Sequence, residues 1–325
     1  MHPAFSVIFL TTLIGVGQGL FLAMFTVESH VAFAFLPEQP HSFYAYGSVL
    51  SLLFLVAGLI ASFWHLGRPE RAWRTATRWR TSWLSREVIA LPAFMGAVFI
   101  YGITHMFSFS PVVGAMPGGA PVTLTFLIGS VGTVLAFALF LSTGMIYACL
   151  RFLREWNTPL TVVNYILLGW SSGFTFATLY AAYVAPHLVP FMAGWAVILT
   201  LLAFASRSAS LIRNARLKPK STLQTAIGIK HPKIVQKTQG SMGGSYNTRE
   251  YFHGAKPVLL RSIKWFFLFA VFLVPLVLLS AGIGGRTSGI LLTAFVVQYI
   301  GLLAERWFFF AQANHPQNLY YQSVA

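Results

Sequence analysis

The sequence predicts an all-α integral membrane protein, a single bundle of eight transmembrane helices. Its composition is the first sign: 56% of the 325 residues are hydrophobic and 9% are charged, whereas soluble domains carry about a quarter charged residues. The apolar residues fall in eight long runs, and the basic residues fall between them. Membrane insertion imposes this arrangement, because charged side chains are costly in hydrocarbon.

Each run is long enough to cross about 30 Å of hydrocarbon as a helix. The first lacks the basic segment that precedes a cleavable signal peptide, so we expect it to remain as a span. The fifth is the weakest, because Trp170-Ser171-Ser172-Gly173 interrupts it, although small residues suit close helix packing. The predicted spans are 4–26, 43–65, 84–107, 122–150, 160–183, 187–206, 263–281 and 289–312.

The basic residues predict an orientation for this bundle. All 22 Lys and Arg residues except Arg286 lie toward one of its two sides. Short loops rich in Lys and Arg stay in the cytoplasm. We therefore expect both termini and the large loop 207–260 to be cytoplasmic.

The loop 207–260 is the only sizeable segment predicted to lie outside the membrane. Lys218-Pro219-Lys220 and the glycine-rich stretch 240–245 favour a flexible chain. The loop is too short and polar to be an enzyme domain, so we expect it to dock a partner subunit or to contact lipid headgroups.

Residue types exclude several classes of site. Cys149 is the only cysteine, so the chain cannot form an internal disulfide, hold an iron–sulfur cluster or build a thiolate metal site. The net charge of +15 does not indicate nucleic-acid binding, because the basic residues are dispersed between spans. The sequence contains no nucleotide-binding glycine motif, Walker loop or nucleophile elbow.

Glu87 and His65 indicate where chemistry could occur. Glu87 lies just inside the third span, and His65 ends the second. Taken alone, Glu87 is equally well explained as a carboxylate stabilised by the helix dipole and a nearby Arg, and a lone interfacial His is usually structural. Together they lie at the cytoplasmic ends of neighbouring antiparallel spans. Ionisable groups at membrane depth are functional candidates by default.

This pair suits a quinone head group, because quinone reduction consumes two electrons and two protons. His65 and Glu87 would relay protons from the cytoplasm, while Arg68 and Arg86 would stabilise a developing anionic oxygen. We expect the pocket at the cytoplasmic ends of spans two and three, closed by span one or four. Ser82 is assigned to the same site.

Four other positions are open to more than one interpretation. Gln18, flanked by glycines in the middle of the first span, is better explained by a hydrogen bond between helices than by quinone binding. Tyr147, one turn before Arg151, is similarly ambiguous. His105 and His187, at the outer ends of spans three and six, invite a haem hypothesis that no second His pair supports. No metal site is predicted.

Several motifs give the sequence a family resemblance. They are His65-Leu66-Gly67-Arg68-Pro69, Thr81-Ser82-Trp83-Leu84-Ser85-Arg86-Glu87, Trp156-Asn157-Thr158-Pro159-Leu160-Thr161 and Asn247-Thr248-Arg249-Glu250-Tyr251-Phe252. With them the chain resembles, over essentially its whole length, the membrane-anchor subunits of dimethyl sulfoxide reductase-type molybdoenzymes, within the wider polysulfide and nitrite reductase anchor superfamily. Its opening, with Met1-His2-Pro3, looks most like the anchors of cytoplasmic sulfite dehydrogenases.

The resemblance implies an anchor in the bacterial cytoplasmic membrane that carries no haem, molybdenum or iron–sulfur cluster and does not itself act on the sulfur substrate. It would hold a four-cluster iron–sulfur subunit and, through it, a molybdopterin catalytic subunit, and would exchange electrons with ubiquinone or menaquinone. In the family, a His and a Glu at the positions of His65 and Glu87 are linked to quinol binding. The implied reaction is sulfite oxidation with quinone reduction; the alternative is quinol oxidation for a dimethyl sulfoxide or polysulfide reductase.

Two other classes of function remain as rivals. One is a proton-coupled transporter, but transporters often show repeats and a midplane site, whereas this sequence shows no repeat and its ionisable groups lie at one interface. The other is a structural anchor without quinone. If the quinone site lies beside the iron–sulfur partner, as short electron hops require, that partner is also cytoplasmic.

Overall fold

The computed structural model describes residues 2–64, 66–115, 121–218, 222–235, 253–285 and 288–316, which form a bundle of long helices. Within these ranges, eight helical segments are long and apolar enough to cross a membrane, which confirms the predicted number of spans. The chain is therefore a multi-pass membrane protein.

The helices are numbered here in chain order. A 3-10 segment, Pro69–Arg78, follows the second helix, and another, Pro186–Leu188, precedes the sixth. A π-helical turn, Phe269–Leu273, joins the eighth and ninth helices into one span. The α-helices are α1 (Phe5–Ala32), α2 (His41–Phe63), α3 (Trp83–Met106), α4 (Leu124–Ala148), α5 (Pro159–Val184), α6 (Val189–Ala215), α7 (Leu223–Ile227), α8 (Pro257–Leu268), α9 (Val274–Gly285) and α10 (Ser288–Ala311).

The architecture is nearly, but not entirely, all-α. The strands Val112–Ala115 and Pro121–Thr123 pair antiparallel between α3 and α4.

In addition, α1 and α6 continue well past the predicted ends at 26 and 206. The apolar runs end near Glu28 and Arg207, but both side chains are buried among partners on other helices, so the helices continue through them.

Hydroxyl side chains begin three of the spans. Ser82 accepts a hydrogen bond from the backbone N–H of Ser85, and Thr123 accepts one from Phe126. Thr158 caps α5, whose first residue is Pro159. These caps satisfy backbone N–H groups that have no partner within the helix.

α1 and α5 form the centre of the bundle. In the most apolar stretch of each helix, 78% of the α1 residues and 61% of the α5 residues are buried, whereas the corresponding share in the other spans is 33–44%. The two helices touch backbone to backbone at Gly19 and Gly173, where a Cβ added to Gly173 would lie 2.2 Å from the carbonyl carbon of Gly19. The small residues that weaken the fifth span as an apolar run are thus the ones that let α5 approach α1, as predicted.

Candidate functional site

A narrow cavity with both apolar and polar lining residues lies inside the bundle, toward the end where α3 begins. Residues of α1, α3, α4, α5 and α10 form its walls. Its volume of about 20 Å³ accommodates about one water molecule. The polar side chains at its surface include Thr12, Gln18, Glu87, Thr143, Tyr165 and Arg306.

Glu87 enters this cavity from the second turn of α3. Its Oε1 accepts a short hydrogen bond from the hydroxyl of Thr143 on α4. Among the described residues, no Lys or Arg forms an ion pair with Glu87. The carboxyl group is therefore stabilised by a hydroxyl across the helix interface, and not by the nearby Arg that the structural explanation assumed.

Gln18 reaches the same cavity from the middle of α1. Its side-chain amide donates a hydrogen bond of 2.8 Å to the backbone carbonyl of Ala136 on α4. The preferred interpretation, a hydrogen bond between helices, is what the structure shows. Gln18 also lines the cavity, so it places a polar group near Glu87 while it holds α1 against α4.

Arg306 supplies a buried positive charge to the cavity from α10. One of its terminal nitrogens lies 3.1 Å from Glu305, and Arg207 on α6 lies 2.8 Å from the other oxygen of that carboxylate. The three side chains are almost fully buried, with 3% of Arg306 exposed. Two guanidinium groups share one carboxylate, so the cluster carries one positive charge in excess. Such a charge is costly in a low-dielectric interior unless an anion or an acceptor accompanies it.

The ring of Tyr165 connects this cluster to Tyr147. The Arg306 guanidinium lies 3.7 Å above the centre of the Tyr165 ring, and Tyr165 lines the cavity. Tyr147 stacks on Tyr165 with ring centres 5.6 Å apart, and it meets the rings of Trp156 and Phe309 edge-on. Tyr147 therefore backs the cavity wall within an aromatic cluster.

Three other predicted site residues, Arg68, Ser82 and Arg86, lie apart from the cavity, in or beside the connection between α2 and α3. Arg86 binds the backbone carbonyls of Trp79 and Arg80, and its guanidinium lies 4.0 Å from the centre of the Trp83 ring. Arg68 is exposed just before the 3-10 segment, and Ser82 serves as the cap of α3. His65 lies outside the described residues, as does the 247–252 motif.

Thr143, Tyr165 and Arg306 were not among the site residues predicted from the sequence. A signal for Arg306 was available, because Glu305 and Arg306 form an adjacent charged pair inside the predicted eighth span. Thr143 gave a weaker signal, one hydroxyl four residues before Tyr147. Neither residue could be placed beside Glu87 without knowing which faces of α4 and α10 turn toward α3.

The two outer histidines have different surroundings. His105 is buried near the end of α3, and its Nδ1 lies 3.0 Å from Nδ1 of His41. His187 is exposed in the short segment before α6. Among the described residues, no group of three or more His, Cys, Asp or Glu side chains is arranged to hold a metal ion.

Comparison with known proteins identifies close similarity over the whole chain. Residues 1–310 match the family model described as the DMSO reductase anchor subunit (DmsC). The chain is also 57% identical, over 325 residues that cover both proteins completely, to a sulfite dehydrogenase subunit of Allochromatium vinosum.

Proposed function

The chain belongs to the family of DMSO reductase anchor subunits and is a membrane anchor of an oxidoreductase complex; on this premise we propose that it passes electrons between an iron–sulfur subunit and the quinone pool, at a site formed around Glu87. The proposed reaction of the complex is sulfite oxidation with reduction of quinone, on the strength of the similarity to a sulfite dehydrogenase subunit.

One observation carries this proposal: the partly buried carboxyl group of Glu87 and the buried guanidinium of Arg306 line the same cavity. Arg306 Nε has no hydrogen-bond partner among the described residues, although the residue is almost completely enclosed. A buried donor without an acceptor costs free energy, and a quinone carbonyl oxygen is a suitable acceptor. The unpartnered Nε–H of Arg306 and the carboxyl group of Glu87 therefore fit a quinone head group. The cavity holds about one water molecule, so side chains must move to admit the ring.

When bound, quinone would supply the chemistry of accepting two electrons and two protons. Arg306 would donate a hydrogen bond to one of its oxygens and stabilise negative charge there. Glu87 would deliver a proton, with Thr143 holding its carboxyl group in place. His65 is the proposed second head-group partner and proton donor, and Arg68 and Arg86 would add positive potential from the connecting segment.

The proposed complex contains a four-cluster iron–sulfur subunit and a molybdopterin catalytic subunit, and no such group is proposed on this chain. The 207–260 region would dock the iron–sulfur subunit at the end of the bundle where the cavity lies. The protein would reside in the bacterial cytoplasmic membrane, with this end toward the cytoplasm. That placement keeps the electron path between the partner and Glu87 short.

Glu87→Gln in the purified complex tests the proposal. We expect the subunits to stay together and the catalytic partner to reduce a soluble dye at an unchanged rate, because the dye bypasses the anchor. Quinone-dependent turnover should fall by about 10²-fold, the usual contribution of a positioned proton donor. Glu70→Gln, which changes an exposed carboxylate in the 3-10 segment, is the matched control. Quinone turnover that is equal in both variants would refute the assignment.

A further inference from the structure

Another buried carboxylate lies at the opposite end of the bundle from the Glu87 cavity. Glu28 is 8% exposed in the last turns of α1. Its Oε2 accepts a hydrogen bond of 2.7 Å from the hydroxyl of Tyr101 on α3, and its Oε1 accepts one of 2.6 Å from Thr125 on α4. A carboxyl group this deep in a membrane bundle is rare unless it is paired or functional.

Two imidazoles connect Glu28 to the aqueous surface. His105 Nε2 lies 3.7 Å from Glu28 Oε1, and it has no hydrogen-bond partner among the described residues. On the other side of the same ring, His105 Nδ1 lies 3.0 Å from Nδ1 of His41. His41 is the first residue of α2 and is exposed. The order from water to the interior is therefore His41, His105 and Glu28.

The contact between the two histidines requires one shared proton. At 3.0 Å one Nδ1 must donate and the other must accept. If His41 donates, neutral His105 carries its own proton on Nε2, where it faces the Glu28 carboxylate. If His105 donates, its Nε2 is bare. To change from the first state to the second, His105 gains a proton at Nδ1 and loses one from Nε2.

From this geometry we propose that Glu28, His105 and His41 form a proton-exchange site that opens to the side of the membrane opposite to the Glu87 cavity. A proton from water binds Nε2 of His41, the proton on Nδ1 of His41 moves to Nδ1 of His105, and the proton already on Nε2 of His105 passes to ionised Glu28 at Oε1. A rotation of the His105 side chain closes the remaining gap to a hydrogen bond. The reverse sequence releases the proton.

The surrounding groups hold this path in place and add little charge. The Tyr44 ring stacks on His105 at 4.5 Å, and the Tyr101 ring meets it edge-on at 4.6 Å. Glu38, in the segment before α2, acts electrostatically on Tyr44. His30, two residues after Glu28, instead bonds its own helix at Thr26 and packs against Phe191 of α6. His30 is thus near Glu28 in sequence but on a different face.

Infrared spectroscopy of the full chain in lipid bilayers tests the exchange directly. A buried carboxyl group shows a C=O stretching band that shifts when its proton is replaced by deuterium. Glu28→Gln should remove one such band, and Glu28→Asp, which keeps the acid, should shift it. In His41→Phe the band should exchange with deuterated water about 10²-fold more slowly, because the positioned proton carrier is lost.

His30→Phe is the matched control, since it removes a nearby imidazole that is not on the path. His41 is exposed at a helix start, so its replacement leaves the packing intact, and the comparison of these two variants is decisive even if His105→Phe fails to fold. Equal exchange rates in His41→Phe and His30→Phe would overturn the relay. A Glu28 band that does not respond to pH from acid to alkaline conditions would overturn the exchange site itself.

Discussion

At the scale of single residues, the hydrogen bond between Thr143 and Glu87 determines what the carboxyl group can do. Among the described residues, no Lys or Arg forms an ion pair with Glu87, and the hydroxyl of Thr143 donates a hydrogen bond to its carboxylate. Hydrogen bonds to a charged group contribute about 1.5–3 kcal/mol, roughly twice the value for neutral pairs. Thr143 therefore orients the Glu87 carboxyl group and lowers the free energy of its charged form.

Thr143→Val should slow quinone-dependent turnover of the purified complex, because it removes that donor while it keeps the side-chain volume. The loss of a partner for a buried polar group costs about 1–3 kcal/mol, so the thermal unfolding midpoint of the complex should also fall. Thr143→Ser keeps the hydroxyl and should retain most of both properties. If the Val and Ser variants behaved alike in both measurements, the hydroxyl would not support Glu87.

Sequence reasoning at this scale finds ionisable residues but not their partners. Glu87 was selected because a carboxylate at the start of an apolar run is conspicuous. Glu28 was not selected, since it follows the apolar run and marked the predicted end of the first span at 26. Its carboxylate accepts hydrogen bonds from the uncharged side chains of Tyr101 and Thr125, which are far from Glu28 in the sequence. Only the packing of α1 against α3 and α4 shows that the helix continues and that the charge is accommodated.

At the scale of secondary-structure elements, the contact between α1 and α5 holds the cavity walls together. Gly15 and Gly19 on α1 face Gly169 and Gly173 on α5, and the added Cβ atoms would meet backbone atoms in each case. Backbone atoms cannot swing aside as a flexible side chain does. The two helices that contribute Gln18 and Tyr165 to the cavity are therefore held at a separation that only glycine permits.

Gly173→Ala should separate these helices and destabilise the protein by about 1–3 kcal/mol, the usual cost of overpacking. Gly194→Ala on α6 is the matched control, since no atom lies within 4 Å of the added Cβ and alanine favours the helix. Thermal unfolding of the purified chain in detergent measures both effects. An unfolding midpoint that falls equally in both variants, or in neither, would contradict the packing argument.

The irregular turn in the seventh span packs against α10, a contact that the sequence did not reveal. The π-helical turn Phe269–Leu273 lies opposite Gly301 of α10, where an added Cβ would meet Ala270 and Val271. The side chain of Gln298, on the same helix, donates a hydrogen bond of 3.4 Å to the Val271 carbonyl. Hydropathy located this span, but a change of helix type depends on a neighbouring helix that hydropathy does not describe.

At the scale of the whole molecule, an apolar layer separates the two carboxylate sites. Gln18 and Glu28 are ten positions apart on α1, which corresponds to about 15 Å along the helix axis. The intervening buried residues include Leu20, Phe21 and Met24, and Phe21 packs edge-on against Phe94 and Tyr101. The proton exchange proposed at Glu28 and the proton delivery proposed for Glu87 would therefore use opposite ends of the bundle.

The orientation of the bundle rests on the distribution of charge, which the structure refines. Arg207 and Arg306 count among the basic residues on the predicted cytoplasmic side, yet both are buried beside Glu305 and do not face water. The other basic residues that the structure describes still lie at the end where α3 begins and α6 ends. The charge distribution therefore still predicts that this end faces the cytoplasm.

Cysteine labelling tests this orientation. In a Cys149→Ser background, Val113→Cys introduces a thiol on the exposed strand after α3, and His231→Cys introduces one in the exposed segment after α7. A membrane-impermeant maleimide should label Val113→Cys in intact spheroplasts, and His231→Cys only after the membrane is opened. The Cys149→Ser chain alone, which has no cysteine, controls for background labelling. The reverse pattern would place the Glu87 cavity, and with it the proposed docking site of an iron–sulfur subunit, on the outer side of the membrane.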